Sequence, residues 1–278
     1  MLPTVRKPSL WRRVRANGVL HAVAARIVPP RVHDHRRLLA LLEGSRGIEI
    51  GGPSRVFSPR GIFPVYSVVS DLDNVNFSTA TVWEGNIADG APYRFRSDRP
   101  PGRQFVLEAT DLASIPSGIY DFLLSSHTLE HVANPLKALA EWRRVVRPGG
   151  LLVIVIPNKS QTFDHRRPVT PMRHLASDEA NDTGEDDQTH IEEVMQLHDA
   201  SRDPGWVGWD VPLAEHNFTT RVMHHHVFDP PLVSELLAYM NLELFATDVV
   251  WPCHIFALAR NGLLTAGDGR IPSQPPIV

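Results

Sequence analysis

Cysteine is nearly missing from this chain. One residue of 278, Cys253, carries a thiol, so no disulfide framework forms within it and a reducing compartment suits it. Long apolar runs are missing too. The longest, LLVIVI from Leu151 to Ile156, falls far short of the ~20 residues that a membrane-spanning helix needs, so a soluble, cytoplasmic protein is expected. Excess charge is also absent: 28 Lys and Arg face 31 Asp and Glu, a net −3 that gives no overall pull toward nucleic acid or acidic membranes. The start lacks the apolar core and small-residue cleavage site of a secretory signal. No tight metal signature such as CxxC or HExxH occurs.

What is present is unevenly spread. Residues 1–46 hold ten Lys and Arg against two acids, +8, which leaves −11 for the remainder. Residues 1–43 read as a basic helical N-terminal segment, with Leu38, Leu41 and Leu42 at helical spacing and Pro29-Pro30 as a break. A main domain is expected over residues 44–264, with a loose Pro/Gly-rich tail over 265–278.

From Gly47 to Pro157 short apolar strands alternate with helical stretches, the pattern of an α/β unit with a mostly parallel sheet. Strands are expected at Gly47–Ile50, Val65–Ser70, Gln104–Glu108, Tyr120–Ser125 and Leu151–Ile156. Asn134 followed by Pro135 opens a helix that buries Leu136, Leu139, Ala140 and Val146, and RPGG ends it. A helix from Pro230 to Asn241 and two apolar runs, Leu242–Val250 and Cys253–Arg260, then close the sheet as an antiparallel pair. Residues 157–229 hold eight of the 14 histidines and fourteen of the 31 acids, and are too long for a structureless loop. They are expected to fold as an inserted cap.

The stretch GIEIGGPS, Gly47 to Ser54, reads as a strand running into a glycine turn and a helix, which aims backbone N–H groups at a ligand. Glu49 beside that turn would repel a pyrophosphate and attract a cation, so it argues for S-adenosylmethionine over a nicotinamide dinucleotide and against a dehydrogenase. Gly51 and Gly52 would let the backbone approach closely. Through EIGGPS, VVSDLDNVNF, LEATDL and YDFLLSSHTLEHVANPLKALAEWRRVVRPGGLLVIVIPN, residues 44–160 resemble the class I S-adenosylmethionine-dependent methyltransferases, although Pro53 departs from the glycine-rich form. The resemblance implies a Rossmann-like, seven-stranded, mostly parallel sheet with a C-terminal antiparallel hairpin. It also implies cofactor contacts from Glu49, Gly51 and Gly52, from Asp71 or Asp73 to the ribose, from Glu108 and the Ala109 N–H to adenine, and from Ser126 and His127 near the methyl. His131 is read as a packed or capping histidine.

Transfer to a sugar hydroxyl needs a positioned base or a metal ion to handle a very weak acid. Three polar clusters of the cap could supply either: Asp164, His165, Arg166 and Arg167 with His174 and Asp178; Asp186, Asp187, His190, Glu193 and His198; and the run His224, His225, His226. If that run is extended, His224 and His226 share a face. Asp164, His165, His224, His226 and His127 are the candidates for proton removal, and a divalent cation such as magnesium is a candidate cofactor. Trp206 and Trp209 would suit apolar sugar faces. TFDHRRPVT, GEDDQTH and HHHVFD resemble a bacterial subgroup of carbohydrate-pathway methyltransferases that act on short, partly methylated mannosides. That implies an O-methyltransferase with a small carbohydrate acceptor and no nucleic-acid partner; a homodimer is compatible. Two rivals stand beside it: a nucleic-acid methyltransferase or RNA binder using the basic arm, and a cofactor-binding regulatory module without turnover.

Overall fold

The computed structural model describes residues 29–81, 84–202 and 216–262. Its centre is one sheet built from β1 (Arg46–Ile50), β2 (Asp71–Asn76), β3 (Gly102–Val106), β4 (Tyr120–Ser126), β5 (Val146–Pro157), β6 (Leu242–Val250) and β7 (His254–Asn261). The order is β3-β2-β1-β4-β5-β7-β6, and the two-residue strand Pro92–Tyr93 adds an eighth member outside β3. Strands β1 to β5 run parallel to one another, whereas β7 lies antiparallel between β5 and β6 and the Pro92–Tyr93 strand is antiparallel to β3. The alternation read along residues 47–157 and the closing apolar pair thus give the expected α/β sheet.

Helices α1 (His35–Ala40), α2 (Pro135–Val145), α3 (Met172–Ala180), α4 (Ile191–Leu197), α5 (Asn217–Thr220) and α6 (Pro230–Tyr239) surround it. Alternation decides which face each strand residue serves. Leu123, Leu152, Ile154 and Ile156 pack with α2 and α6 on one side. Phe122, Leu124, Val153 and Val155 pack with Leu38, Leu39 and Phe63 on the other. A strand covered on both faces needs no polar alternation, which is why LLVIVI is unbroken. The Asn134 side chain accepts from the Lys137 N–H at 3.1 Å at the start of α2, and Asp229 caps α6 through the Leu232 N–H at 2.9 Å. The buried stripe of α2 is carried by Leu136, Ala138, Leu139 and Trp142, while Ala140 faces solvent and Val146 belongs to β5.

Two expectations before β2 fail. Val65–Ser70 is not a strand: Val65–Ser67 forms a single 3-10 turn, and the paired strand begins at Asp71, opposite Arg46. The glycine turn after β1 leads only into the 3-10 turn Arg55–Phe57, so no α-helix N-terminus faces the strand ends there. Four apolar residues of this stretch, Phe57, Phe63, Val65 and Val69, are fully buried; they cover the sheet as loop rather than as helix. Within the expected cap, the described residues 157–202 and 216–229 form short helices and turns; Trp206 and Trp209 lie outside the described residues, as do residues 1–28 and 263–278. Among the described residues no helix is long and apolar enough to cross a membrane.

Trp142 is fully buried, and its indole N–H donates to the Ala109 carbonyl at 3.0 Å, so α2 is tied to the loop after β3. Trp142→Ala is expected to cost about 3–5 kcal/mol in urea unfolding; a loss under ~1 kcal/mol would contradict this packing.

Candidate active site

The glycine turn is organised around a buried acid. Glu49 is fully enclosed; its Oε2 accepts from the hydroxyls of Tyr66 and Tyr93 at 2.7 Å each, and its Oε1 from the Ser54 N–H at 3.1 Å. Burial raises its pKa, and these hydrogen bonds oppose the rise only in part. A Cβ on Gly52 would lie 2.4 Å from the Glu49 carboxyl carbon and 2.7 Å from the Tyr93 oxygen. Gly52 therefore makes room for the carboxyl group rather than for a ligand. Neither residue lines the cavity described below. The expected attraction between Glu49 and a bound cation does not operate, because the acid is spent on the loop itself.

Asp71 and Asp73 are also misplaced by the sequence reading. They sit at the amino-terminal end of β2, the end away from the glycine turn. Asp73 accepts from the Tyr120 hydroxyl at 2.7 Å and the Arg103 N–H at 2.7 Å, and it pairs with Arg46 at 3.1 Å. The error follows from placing the second strand six residues early. Asn76 and Phe77 occupy the carboxyl end instead. Asn74 braces the turn from the same strand, accepting from the Gly52 N–H at 2.9 Å and donating to the Gly52 carbonyl at 3.1 Å.

A cavity of about 870 Å³ opens above the carboxyl ends of β1 to β5. Gly51, Asn76, Glu108, Ala109, Ser126 and His127 border it from the sheet side. Gly51 holds φ 80°, where a Cβ would lie 2.6 Å from the Thr128 hydroxyl oxygen. The chain after β5 supplies the opposite wall through Phe163, Glu185, Arg221 and His224. Arg221 joins the walls, pairing with Glu108 at 2.7 Å and Glu185 at 2.8 Å over the ring of Phe77. Burial raises the Glu185 pKa, and Arg221 opposes that rise. Cys253 also borders the cavity, and burial lifts its pKa to about 11, so the thiol stays protonated and is a poor nucleophile.

Four titratable groups gather beside the end of β4. His127 adopts φ 52°; its Nδ1 stands 3.4 Å from Glu130 Oε1 and its Nε2 2.8 Å from His254 Nδ1. Glu130 is fully buried, and neither oxygen has a hydrogen bond. Burial works against its charge, but His127 and His131 outweigh that and hold its pKa below the usual value. The Nδ1 of His131 faces the Met223 carbonyl at 3.1 Å. A carbonyl only accepts, so that nitrogen carries a proton, and Nε2 stands 3.9 Å from Glu130 Oε1. Burial and then the neighbouring His224 lower the His131 pKa to about 3. His131 thus belongs to the cavity wall rather than to a cap or the core.

His224 Nδ1 meets Asp164 Oδ2 at 2.6 Å. Burial disfavours the charged ring, but Asp164 reverses this and the His224 pKa is raised. Burial likewise opposes the Asp164 charge, and His224 with Arg167 overcome it, to about 2. Arg167, itself 1% exposed, donates to Asp164 at 3.0 Å, to the carbonyls of His224 at 2.9 Å and His225 at 3.3 Å, and to Glu193 at 2.7 Å.

Of the remaining candidates, His165 pairs with Asp199 at 2.9 Å and does not border the cavity. His226 lies elsewhere as well: its ring meets the Ala133 carbonyl at 3.1 Å and the rings of His174 and His190. The His224–His226 run bends instead of extending, so those two rings serve different clusters. Glu130, Arg221, Glu185 and Asn76 were not foreseen. HTLEH carried a usable signal, since Glu130 sits three residues after His127 and next to His131. Arg221 carried none, because its ion pairs span up to 113 residues of sequence.

Residues 77–154 match the family model described as Methyltransferase domain. The architecture is the class I methyltransferase fold. A protein of the Streptomyces fradiae transposon Tn4556 (an uncharacterized 37.1 kDa protein) is 44% identical over 62 residues, 21% of this chain and 18% of that protein. The chain thus matches less than a fifth of that relative's length. Among solved structures, a SAM-dependent methyltransferase from Aquifex aeolicus aligns at 11% identity and TM-score 0.42, over 89% of this chain and 92% of that one. An S-adenosylmethionine-dependent methyltransferase from Mesorhizobium loti aligns at 14% identity and TM-score 0.47, over 82% and 96%. The fold assignment rests on the strand order rather than on these scores.

Because Glu49 has a raised folded-state pKa, its charge does not burden the fold below the ordinary 4.5, and stability falls as pH rises through the raised value. Glu49→Gln is expected to match the parent near pH 4 and to equal or exceed its Tm at pH 8. A lower Tm at pH 8 would contradict this reading.

Proposed function

We propose that the protein is an S-adenosylmethionine-dependent O-methyltransferase whose acceptor is a sugar hydroxyl, such as the 1-hydroxyl of a short, partly methylated mannoside. The fold and the methyltransferase-domain match over residues 77–154 support methyl transfer. The observation that carries the oxygen acceptor is the Asp164–His224 pair, a carboxylate-oriented imidazole that borders the cavity. The carbohydrate class rests on the resemblance of TFDHRRPVT, GEDDQTH and HHHVFD alone.

The cavity suits the donor on its chemistry. Phe77, Leu107, Ala109 and Val132 give apolar wall for an adenosyl group, with Glu108 and the Ala109 N–H to read the adenine edge. Asn76 stands where the family places a ribose acid, and an amide also bonds hydroxyls. Glu130, a buried carboxylate without a hydrogen bond, favours a cation beside it. When bound, the donor supplies a methyl group on a positively charged sulfur, open to in-line displacement. Ser126 and His127 border that position. His224 Nε2 takes the proton of the acceptor hydroxyl, and Asp164 holds the ring in orientation and stabilises the imidazolium.

A second reading is favoured by one observation. Glu130, His131 and His224 bring ligand atoms within 4.8 Å of one another, and the outer nitrogen of each ring is already tied, to the Met223 carbonyl and to Asp164. Such outer partners orient metal-binding histidines. Two imidazoles and one carboxylate suit manganese, iron or zinc better than magnesium, which prefers oxygen donors. A cation held there would acidify the acceptor hydroxyl and occupy the His224 lone pair, so His224 cannot serve both roles. The nucleic-acid rival draws its support from the basic N-terminal segment, most of which lies outside the described residues; a regulatory module predicts binding without turnover.

The test is incubation with methyl-labelled cofactor and a panel of mannosides, glucosides and phenols, with and without chelator. Label is expected on a sugar, and label on phenols alone would refute the acceptor class. His224→Ala should lower kcat by roughly 10²–10⁴-fold. Loss of activity on chelation, restored by manganese, would select the cation reading. Without chelator sensitivity, kcat/KM should rise with pH through a group above 6.5, the ordinary value from which Asp164 lifts His224, and Asp164→Asn should move that rise to lower pH. Glu108→Ala and Glu130→Gln should weaken S-adenosylhomocysteine binding, while Glu49→Gln should not.

A further inference from the structure

A second histidine cluster lies outside the cavity, and nothing in the methyl-transfer chemistry uses it. His174 comes from α3, His190 from the residue preceding α4, and His226 from the segment before α6. The Nε2 atoms of His174 and His190 are 3.1 Å apart, and one ligand atom from each of the three rings lies within 4.8 Å of the other two. Asp178, one turn after His174 on α3, places Oδ2 3.4 Å from His174 Nε2 and 3.7 Å from His226 Nε2.

A plain hydrogen-bonded cluster leaves this arrangement unsatisfied. One N–H donated between His174 and His190 accounts for their contact. His226 is already committed on its Nε2 side, which must donate to the Ala133 carbonyl at 3.1 Å because that oxygen only accepts. Its Nδ1 is then a bare lone pair, buried and without a hydrogen bond. Asp178 Oδ2 is buried and without one as well. Two buried acceptors without donors, beside three rings whose ligand atoms converge within 4.8 Å, call for a positive centre among them. Neutral imidazoles are the form that binds metal, and the Ala133 carbonyl fixes the tautomer as outer partners of metal-bound histidines do.

We propose that His174, His190 and His226, with Asp178 beside them, form a binding site for a late first-row divalent cation of the zinc class. Three imidazoles are donors that zinc accepts, and its tetrahedral geometry leaves a fourth position for solvent beside Asp178. His174 is half-buried, leaving an entry path from solvent, whereas His226 is 1% exposed. The role is structural. The ligands join three separate segments of the chain after β5, and the cluster is fastened to the 130–134 loop. The His226 N–H donates to the Glu130 carbonyl at 3.3 Å, and the Asn134 amide to the Asp178 carbonyl at 3.0 Å. A cation here therefore braces the loop that carries Glu130 and His131 into the cavity.

The test is zinc content and zinc uptake by the full chain, measured by elemental analysis and competition with a chromogenic chelator, together with Tm. One zinc per chain is expected, lost in His174→Ala and His226→Ala and kept in Glu130→Gln and His131→Ala. Stripping the metal should lower Tm on the order of 5–10 °C, with zinc but not magnesium restoring it. Should His226→Ala fail to fold, His174→Gln on the half-exposed ligand reads the same loss. Absence of zinc from the parent protein together with no uptake at micromolar zinc would overturn the proposal. So would zinc content that follows Glu130 and His131 instead, which would put the ion in the cavity.

Discussion

The part of the molecule beyond β5 depends on one buried guanidinium. Arg167 donates to Asp164, to Glu193 on α4 and to the carbonyls of His224 and His225, so a single side chain joins three segments that share little hydrophobic core. A buried charge is tolerated only when its partners are close and its donors are used. Here two carboxylates and two carbonyls meet that condition. Through Asp164 the same interaction fixes the His224 ring, and through the backbone it fixes the bend that sends His224 to the cavity and His226 to a separate cluster. Arginine is suited to this because its planar fork serves several acceptors at once.

The sheet solves its own polar problem in the same manner. Glu49 and Asp73 are acids on neighbouring strands, and tyrosine hydroxyls satisfy both: Tyr66 and Tyr93 for the first, Tyr120 for the second. Both act as internal fasteners, one at each end of the strands. With no helix following the glycine turn, the turn is held by Asn74 and Glu49 rather than by a helix cap. Acidic and basic groups that do face the cavity, among them Glu108, Glu130, Glu185 and Arg221, come from segments between the strands and from the chain after β5.

These differences explain how much could be read from the chain. The parallel strands, the capped helix α2, the unbroken apolar β5 and the antiparallel closing pair are local signals, because hydrophobic period and capping residues act over a few positions. Glu108, Ala109, Ser126 and His127 fall at strand ends whose positions those signals set, and each borders the cavity. Asp71 and Asp73 failed because the apolar run 65–70 imitates a strand while packing as a covering loop. Glu49 failed because its burial depends on Tyr93, 44 residues away. The split of His224 from His226 depends on Arg167, and the Arg221 ion pairs reach across the chain. None of these has a local signature.

The central claim is that the cavity above β1 to β5 holds S-adenosylmethionine beside an acid–histidine site that handles the acceptor's proton. A crystal structure with S-adenosylhomocysteine tests it most directly. The predicted density has adenine against Glu108 and Ala109, and sulfur beside Ser126 and His127 on the side of His224. Density for the ligand outside this cavity, or with its sulfur turned away from His224, would contradict it.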